Sequence, residues 1–342
     1  MEKLVIGIDF SKETMNFCCL QGSVDGVVLE GAVSNDREGC REMIRKLRAL
    51  HNGLKVCDFL FCGENTGCYS LEVADYLFSE KYLIWLENPL QIKLSSGMRR
   101  EKTDAADARM IAEYAFRYHD KAKGYNPQPK SIQKLKAWLK AHDYLRGIKV
   151  SLQNLLQSMP VVPGTLQETL EDIVAQLKQT DKKIRELLKK EDEFSMNASL
   201  MMSVPGISCI STAAILVDTC NFTRFTNPRK YATHTGCVPH KHDSGTTIHR
   251  KPQVSKASNR YINSLLTQGA VSLITHNQEI KEYVIKKKKE GKHTGCIINN
   301  IRNKIIHRLF AVIREQKSFD PNHRCEMQKK MHLQVGSGDT SF

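Results

Sequence analysis

The sequence predicts an α/β domain with a mixed sheet, followed by a long helical hairpin and a mainly α-helical domain. Three observations carry that reading. Three strand-like runs follow one another near the N-terminus, and helix and strand patterns then alternate. Apolar residues recur at alternating four-three spacing across 166–187. A second compositional unit of short helical stretches opens near Met196.

Residues 4–9, Leu-Val-Ile-Gly-Ile-Asp, read as a buried strand ending on an acid. Strand-like runs at 16–20 and 26–33 follow, with Gly22 and Gly26 punctuating the turn. Asp36 suits the cap of a helix reaching Leu50, because Met43, Ile44, Leu47 and Leu50 share one face. A second buried strand, 56–62, leads into Gly63-Glu64. A helix at 70–79, a strand at 82–86, the breaker Asn88-Pro89 and a helix at 103–118 complete the domain. That order of elements is also the order of the RNase H-like fold.

A long helix is expected over 131–159, stopped by Pro160 and Pro163. Its partner begins near Thr165 and presents Leu166, Leu170, Ile173, Leu177, Ile184 and Leu187 along one seam, interrupted by Thr180. The spacing predicts a protruding coiled-coil hairpin. Beyond it, Val204-Pro205-Gly206-Ile207 lies between two helical stretches, the second at 211–219. The segment to 274 is mixed and basic, a helix is expected at 297–314, and a polar tail from Ser318 is expected to be disordered. The domains are therefore read as 1–128, 129–195, 196–317 and a tail of 318–342.

With 41% hydrophobic and 26% charged residues, this is the composition of a soluble globular protein. No apolar run approaches the ~20 residues of a membrane-spanning helix, and the N-terminus lacks a signal-peptide layout. A cytoplasmic protein with no membrane partner is expected. The net charge of +14 points to a polyanion, since cations that neutralise phosphates release condensed counterions. The eleven cysteines lack paired metal-ligand spacing and are read as reduced core residues.

Asp9 and Glu64 each follow an apolar strand, and Asp104 and Asp107 stand three apart on one helix face, ~5–6 Å apart at Cβ. Singly, each is explained as a strand end, a turn or a solvated first turn of a helix. In an RNase H-like arrangement the two strands lie side by side beneath a late helix, so all four acids converge. Such a group would repel itself unless a cation neutralised it, and its hard oxygens suit Mg²⁺.

Ser244-Gly245 lies in a basic segment with Arg250, Lys251, Lys256 and Arg260 following. A serine that attacks a phosphodiester needs an exposed hydroxyl, cations and a proton acceptor, for which His240, His242 and a metal-bound hydroxide are candidates. The alternative is an ordinary turn. The turn at Gly206 resembles that of a helix-hairpin-helix, which grips phosphate through backbone amides; a tight helix connection is the alternative. The run Lys286, Lys287, Lys288 and Lys289 would add non-specific affinity, or simply form a solvated face.

Three N-terminal motifs carry a family resemblance: Gly7-Ile8-Asp9-x-x-Lys12-Glu13, Glu64-Asn65-Thr66-Gly67-x-Tyr69, and Lys102-Thr103-Asp104-x-x-Asp107-Ala108-Arg109. Ser203-Val204-Pro205-Gly206-Ile207, Phe225, Gly236-x-x-Pro239, Ser244-Gly245 and Ser255-Lys256 follow in order. The set, from about residue 4 to 315, resembles the DEDD transposases of bridge-RNA-guided insertion sequences. The resemblance implies a RuvC-like domain in which Asp9, Glu64, Asp104 and Asp107 bind Mg²⁺. It implies Ser244 as a nucleophile that forms a phosphoserine link to DNA, with Lys12 among the nucleic-acid contacts. Donor and target DNA, a non-coding bridge RNA and a homo-oligomer, dimer to tetramer, are the implied partners in a bacterial cell. The composite active sites implied would draw the acids from one subunit and the serine from another, with the helical hairpin aiding assembly. The chain departs from the family at His249-Arg250, where an Arg-Gly pair is usual, and at Cys237 in place of leucine. Two other readings remain: a RuvC-like metal-dependent nuclease or junction resolvase with Ser244 as bystander, and an inactive nucleic-acid-binding protein.

Overall fold

The structure is a computed structural model describing residues 3–50, 53–65, 67–97, 103–161, 163–244, 248–254 and 258–321, with the backbone alone over 240–244 and 248–253. The chain forms two compact units, 1–127 and 128–342. The first runs β1 (Leu4–Phe10), β2 (Thr14–Leu20), β3 (Val27–Ser34), α1 (Arg37–Ala49), β4 (Phe59–Glu64), α2 (Cys68–Ser79), β5 (Leu83–Glu87), α3 (Pro89–Ser95) and α4 (Asp104–Arg117). Its strands form one sheet in the order β3-β2-β1-β4-β5. β1, β2 and β3 pair antiparallel, whereas β1, β4 and β5 run parallel.

Sequence pattern tracks position in this sheet. The central strands β1 and β4 are buried on both faces, as their unbroken apolar runs require, whereas the edge strand β3 largely alternates. One face packs on α1 and α2 around Ile6, Ile8, Phe17, Phe59 and Phe61. The other carries α4, which approaches β1 closely because Gly7 has no side chain. A Cβ at Gly7 would lie 2.2 Å from the Ala112 nitrogen and 2.3 Å from the Ala108 oxygen. Asn88-Pro89, expected as a breaker, starts a helix instead: Asn88 caps the Leu90 amide and Pro89 fills the first turn of α3.

The second unit comprises α5 (Lys130–Ser158), α6 (Gly164–Lys190), α7 (Ser195–Met202), α8 (Cys209–Thr219), α9 (Pro228–His234), β6 (Pro239–Ser244), β7 (Ile248–Val254), α10 (Arg260–His276), α11 (Gln278–Lys289) and α12 (Thr294–Glu315). Helices α5 and α6 form the expected hairpin. Its seam is buried at Ile173, Thr180, Ile184 and Leu187 and only half-buried at Leu166, Leu170 and Leu177. Thr180 is accommodated by bonding back to the Gln176 carbonyl at 2.8 Å. The hairpin shares its core with the helices that follow, since Ile132, Leu135 and Leu188 join Ile215, Leu266 and Ile305 in one cluster. The tail expected from 318 is ordered at its start. The Phe319 amide bonds Ser203 Oγ at 2.8 Å, and Arg308 lies over its ring; the rest of that tail, from 322, lies outside the described residues. Cysteines 57, 68 and 296 are exposed, against the expectation that they sit in the core. Among the described residues no helix is long and apolar enough to cross a membrane.

The Gly7 contact generates a prediction. Gly7→Ala drives a methyl into the α4 backbone, which cannot move as a flexible side chain would. It is expected to destabilise the first unit by about 1–3 kcal/mol or more, read as a lowered urea midpoint.

Candidate active site

The sheet register places the acids. Ile8 pairs with Gly63 across the parallel β1–β4 ladder, so Asp9 and Glu64 fall in the next row, at the C-terminal ends of both strands. Helix α4 begins beside them. Thr103 caps it by accepting the Ala106 amide at 3.2 Å, which puts Asp104 and Asp107 in the first turn, where the helix N-terminus favours negative charge.

The four carboxylates feel one another. The Asp9 carboxyl is pushed up to about 6, first by burial and then by the charges of Asp107, Asp104 and Glu64. Glu64 is also raised, by burial and then by Asp107. Asp104 is exposed, and the other three are half-buried. Among the described residues, no three His, Cys, Asp or Glu groups stand close enough to form a ready-made metal site. The donor set nonetheless fits a hard divalent cation, being oxygen throughout and destabilised for want of positive charge.

Two residues at this site were not singled out from the sequence. Glu87 pairs with Glu64 across β4–β5 and extends the row of acids to a third parallel strand. It accepts from the Asn88 amide at 2.6 Å and from the Tyr114 hydroxyl of α4 at 3.4 Å, so it faces the same helix. The signal was available, since β5, like β1 and β4, runs into an acid. Asn35 joins the β1–β2 turn to the α2 entry, donating to the carbonyls of Ser11 at 2.6 Å and Tyr69 at 2.9 Å. Nothing in the residue pattern marks such a tether. Lys12 is exposed in that same β1–β2 turn.

Ser244 is the last residue of β6 and pairs with Ile248 of β7, at the turn end of a two-stranded hairpin rather than in an irregular loop. Gly245 and Lys256 lie outside the described residues, as do the side chains of Ser244, His240, His242, His249, Arg250 and Lys251. Arg260 is exposed at the first position of α10. Lys286, Lys288 and Lys289 are exposed on α11, while Lys287 is drawn back to Glu290 at 2.7 Å. Gly206 has positive φ, +87°, and abuts Gly269 of α10, and the Ser211 amide at the start of α8 is capped by Ser208. The turn is thus tightly packed against α10.

Comparison with known proteins gives one match to the first unit together with α5 and another within the rest of the second unit. A DEDD transposase model of the IS110 type matches residues 6–159, and a model described as transposase IS116/IS110/IS902 family matches residues 198–284. The chain is 25% identical to a pilin gene-inverting protein of Moraxella bovis over 325 residues, covering 94% of this chain and 98% of the relative. It is also 24% identical, over 56% of its length and 49% of the relative's, to an uncharacterized protein of insertion element IS116 from Streptomyces clavuligerus.

The Asp9 environment predicts a pH dependence. Its native pKa, about 6, lies above its ordinary 3.8, so the native state holds the proton more tightly than the unfolded chain. Without divalent cation, that penalty is absent below about pH 4, grows as pH rises to about 6, and is complete above it. Asp9→Asn is therefore expected to stabilise the metal-free protein at pH 7.5 by on the order of 1–2 kcal/mol, after allowing for screening of a half-buried group, and to have little effect at pH 4. Thermal melts in chelator at both pH values read this directly. Mg²⁺ should raise the wild-type midpoint at pH 7.5 more than that of the variant.

Proposed function

We propose that the chain, which matches transposase models of the IS110 and IS116/IS110/IS902 type over residues 6–159 and 198–284, recombines DNA through an Mg²⁺-binding acidic site and a serine nucleophile, guided by a non-coding bridge RNA. The observation that carries the acidic site is the row of Asp9 and Glu64 on adjacent parallel strands, electrostatically coupled to Asp104 and Asp107 on α4. The strand order and directions also support an RNase H-like reading of the first unit, with α4 in the place of the late helix.

In this reading Asp9, Glu64, Asp104 and Asp107 hold the cation. When bound, Mg²⁺ supplies positive charge against the phosphate oxygens that become more negative during phosphoryl transfer. The remaining chemistry belongs to the second unit. Ser244 Oγ displaces one oxygen of a DNA phosphodiester, forming an Oγ–P bond while a P–O bond breaks, and the serine proton ends on the departing oxygen. Attack by a free DNA hydroxyl on the phosphoserine then rejoins strands and restores the serine. The relative that inverts a pilin gene, matched along 94% of this chain, supports a reaction in which broken ends are rejoined rather than released. The net charge of +14 supports DNA and RNA as joint partners, with Lys12, Arg250, Lys251, Lys256, Arg260 and the exposed lysines of α11 as backbone contacts. A homo-oligomer, dimer to tetramer, completes composite sites in which one subunit lends acids and another the serine.

The test incubates the protein with Mg²⁺, the non-coding RNA flanking its own locus, and labelled donor and target DNA. A denaturation-resistant protein–DNA adduct is expected from wild type and from neither Ser244→Ala nor Asp9→Ala. Metal-dependent cleavage that survives Ser244→Ala without an adduct would establish a nuclease instead.

A further inference from the structure

The hairpin of β6 and β7 is an arm held almost entirely at its root. Beyond each other, neither strand packs extensively on any other element among the described residues. An isolated two-stranded hairpin is marginal in water, so its direction depends on what grips its ends. At ~3.3 Å per residue, Ser244 stands roughly 16 Å beyond Pro239, and a small tilt at the root becomes a displacement of ångströms at the serine.

The root is tied by polar groups. Asp218, near the end of α8 and largely buried, accepts from both stems of the arm. His234 Nε2, on the incoming stem, lies 3.2 Å from its carboxylate. Asn259 Nδ2, on the outgoing stem, donates to Oδ1 at 3.0 Å. The stems also meet directly, the Asn259 amide bonding the His234 carbonyl at 2.9 Å. A second set of ties comes from α10 and α12: Asn263 Nδ2 donates to the Thr235 carbonyl at 2.7 Å, Asn299 Nδ2 to the Cys237 carbonyl at 2.8 Å, and Arg302 bonds both asparagines. Gly236 sits between these ties at φ +70°, where a Cβ would collide with Ser258 at 2.7 Å.

We infer that Asp218 is a positioning residue for the reaction: with His234 and Asn259 it clamps the two stems of the β6–β7 arm and sets the direction in which that arm presents Ser244. The inference rests on Ser244 as the nucleophile. Its geometry accounts for a buried carboxylate that lies in neither the acidic site nor a basic surface. It also accounts for Asn259 serving twice, since its Oδ1 caps α10 through the Ile262 amide at 3.2 Å while its Nδ2 reaches Asp218.

The experiment uses the full-length protein with Mg²⁺, its flanking non-coding RNA and DNA. It compares wild type, Asp218→Ala and the swap Asp218→Asn/Asn259→Asp. The swap reverses donor and acceptor across the same bond and keeps a good helix cap, because Asp caps as well as Asn. In Asp218→Ala, amide exchange is expected to rise about tenfold or more in the two stems, near 235–239 and 258–259, and to stay unchanged in the helical core. Adduct formation at saturating DNA should fall about tenfold or more while DNA affinity stays within about twofold, and the swap should recover most of both losses. Unchanged stem exchange would overturn the inference. So would a loss of adduct matched by a loss of affinity or by loosening of the core, or a swap no better than the alanine variant. If Ser244→Ala still forms the adduct, the nucleophile assignment falls instead. Stem exchange and its recovery in the swap then decide the clamp without reference to chemistry.

Discussion

The closeness of α4 to β1 is the constraint on which the first unit turns. A helix laid on a sheet normally stands off by the thickness of intervening side chains. At Gly7 no side chain intervenes, and Ala108 and Ala112 on the facing helix are small enough to let the two backbones meet. Depth and axial placement of α4 are thereby set together, and its first turn comes level with the end of β1. Asp104 and Asp107 are near Asp9 for that reason. The same small residues explain the electrostatic strain at Asp9, since the approach that brings the acids together also removes water from around them.

The second unit repeats the device with different consequences. Gly206 and Gly269 meet backbone to backbone, where a Cβ on Gly269 would lie 2.2 Å from the Gly206 carbonyl. This contact docks the α7–α8 turn onto α10, and α8 and α10 are the helices that supply Asp218 and Asn259 to the root of the arm. In both units a glycine contact sets how closely two elements approach, and polar groups at their ends inherit that precision. Gly206 thus serves packing, and through it the alignment of the elements that carry Asp218 and Asn259.

The first unit was largely legible because burial wrote its pattern. Continuous apolar runs marked β1 and β4, and both acids were visible where those runs stop. Glu87 was missed because the reading ended its strand one residue short, at Leu86. Asn88-Pro89 was misread because asparagine before proline serves equally to end one element and to cap the next; Asn227-Pro228 does the same at the start of α9. The β6–β7 arm was illegible for a deeper reason. His-Lys-His-Asp-Ser shows no alternation of apolar and polar residues, because these strands owe their form to pairing with each other rather than to a core. Asp218 was equally hidden: its partners come from α9 and from the cap of α10, and no spacing along the chain foretells that meeting.

The root of the arm joins polar ties to an apolar anchor at Tyr231, Ala232 and Cys237, and the polar part bears on what the arm must do. An apolar contact is indifferent to small rotations, since area changes little as side chains slide over one another. Hydrogen bonds to a buried carboxylate are directional, weakening steeply as their angles depart from linear. Loss of one partner leaves buried charge uncompensated, a large penalty for a small displacement. Such ties act beside the apolar core among α5–α12, which Ala232 and Cys237 at the root join. They contribute orientation, which a two-stranded arm that packs little on other elements among the described residues cannot obtain from burial. At the acidic site, by contrast, placement comes from the packing of α4 on β1, and charge is left uncompensated.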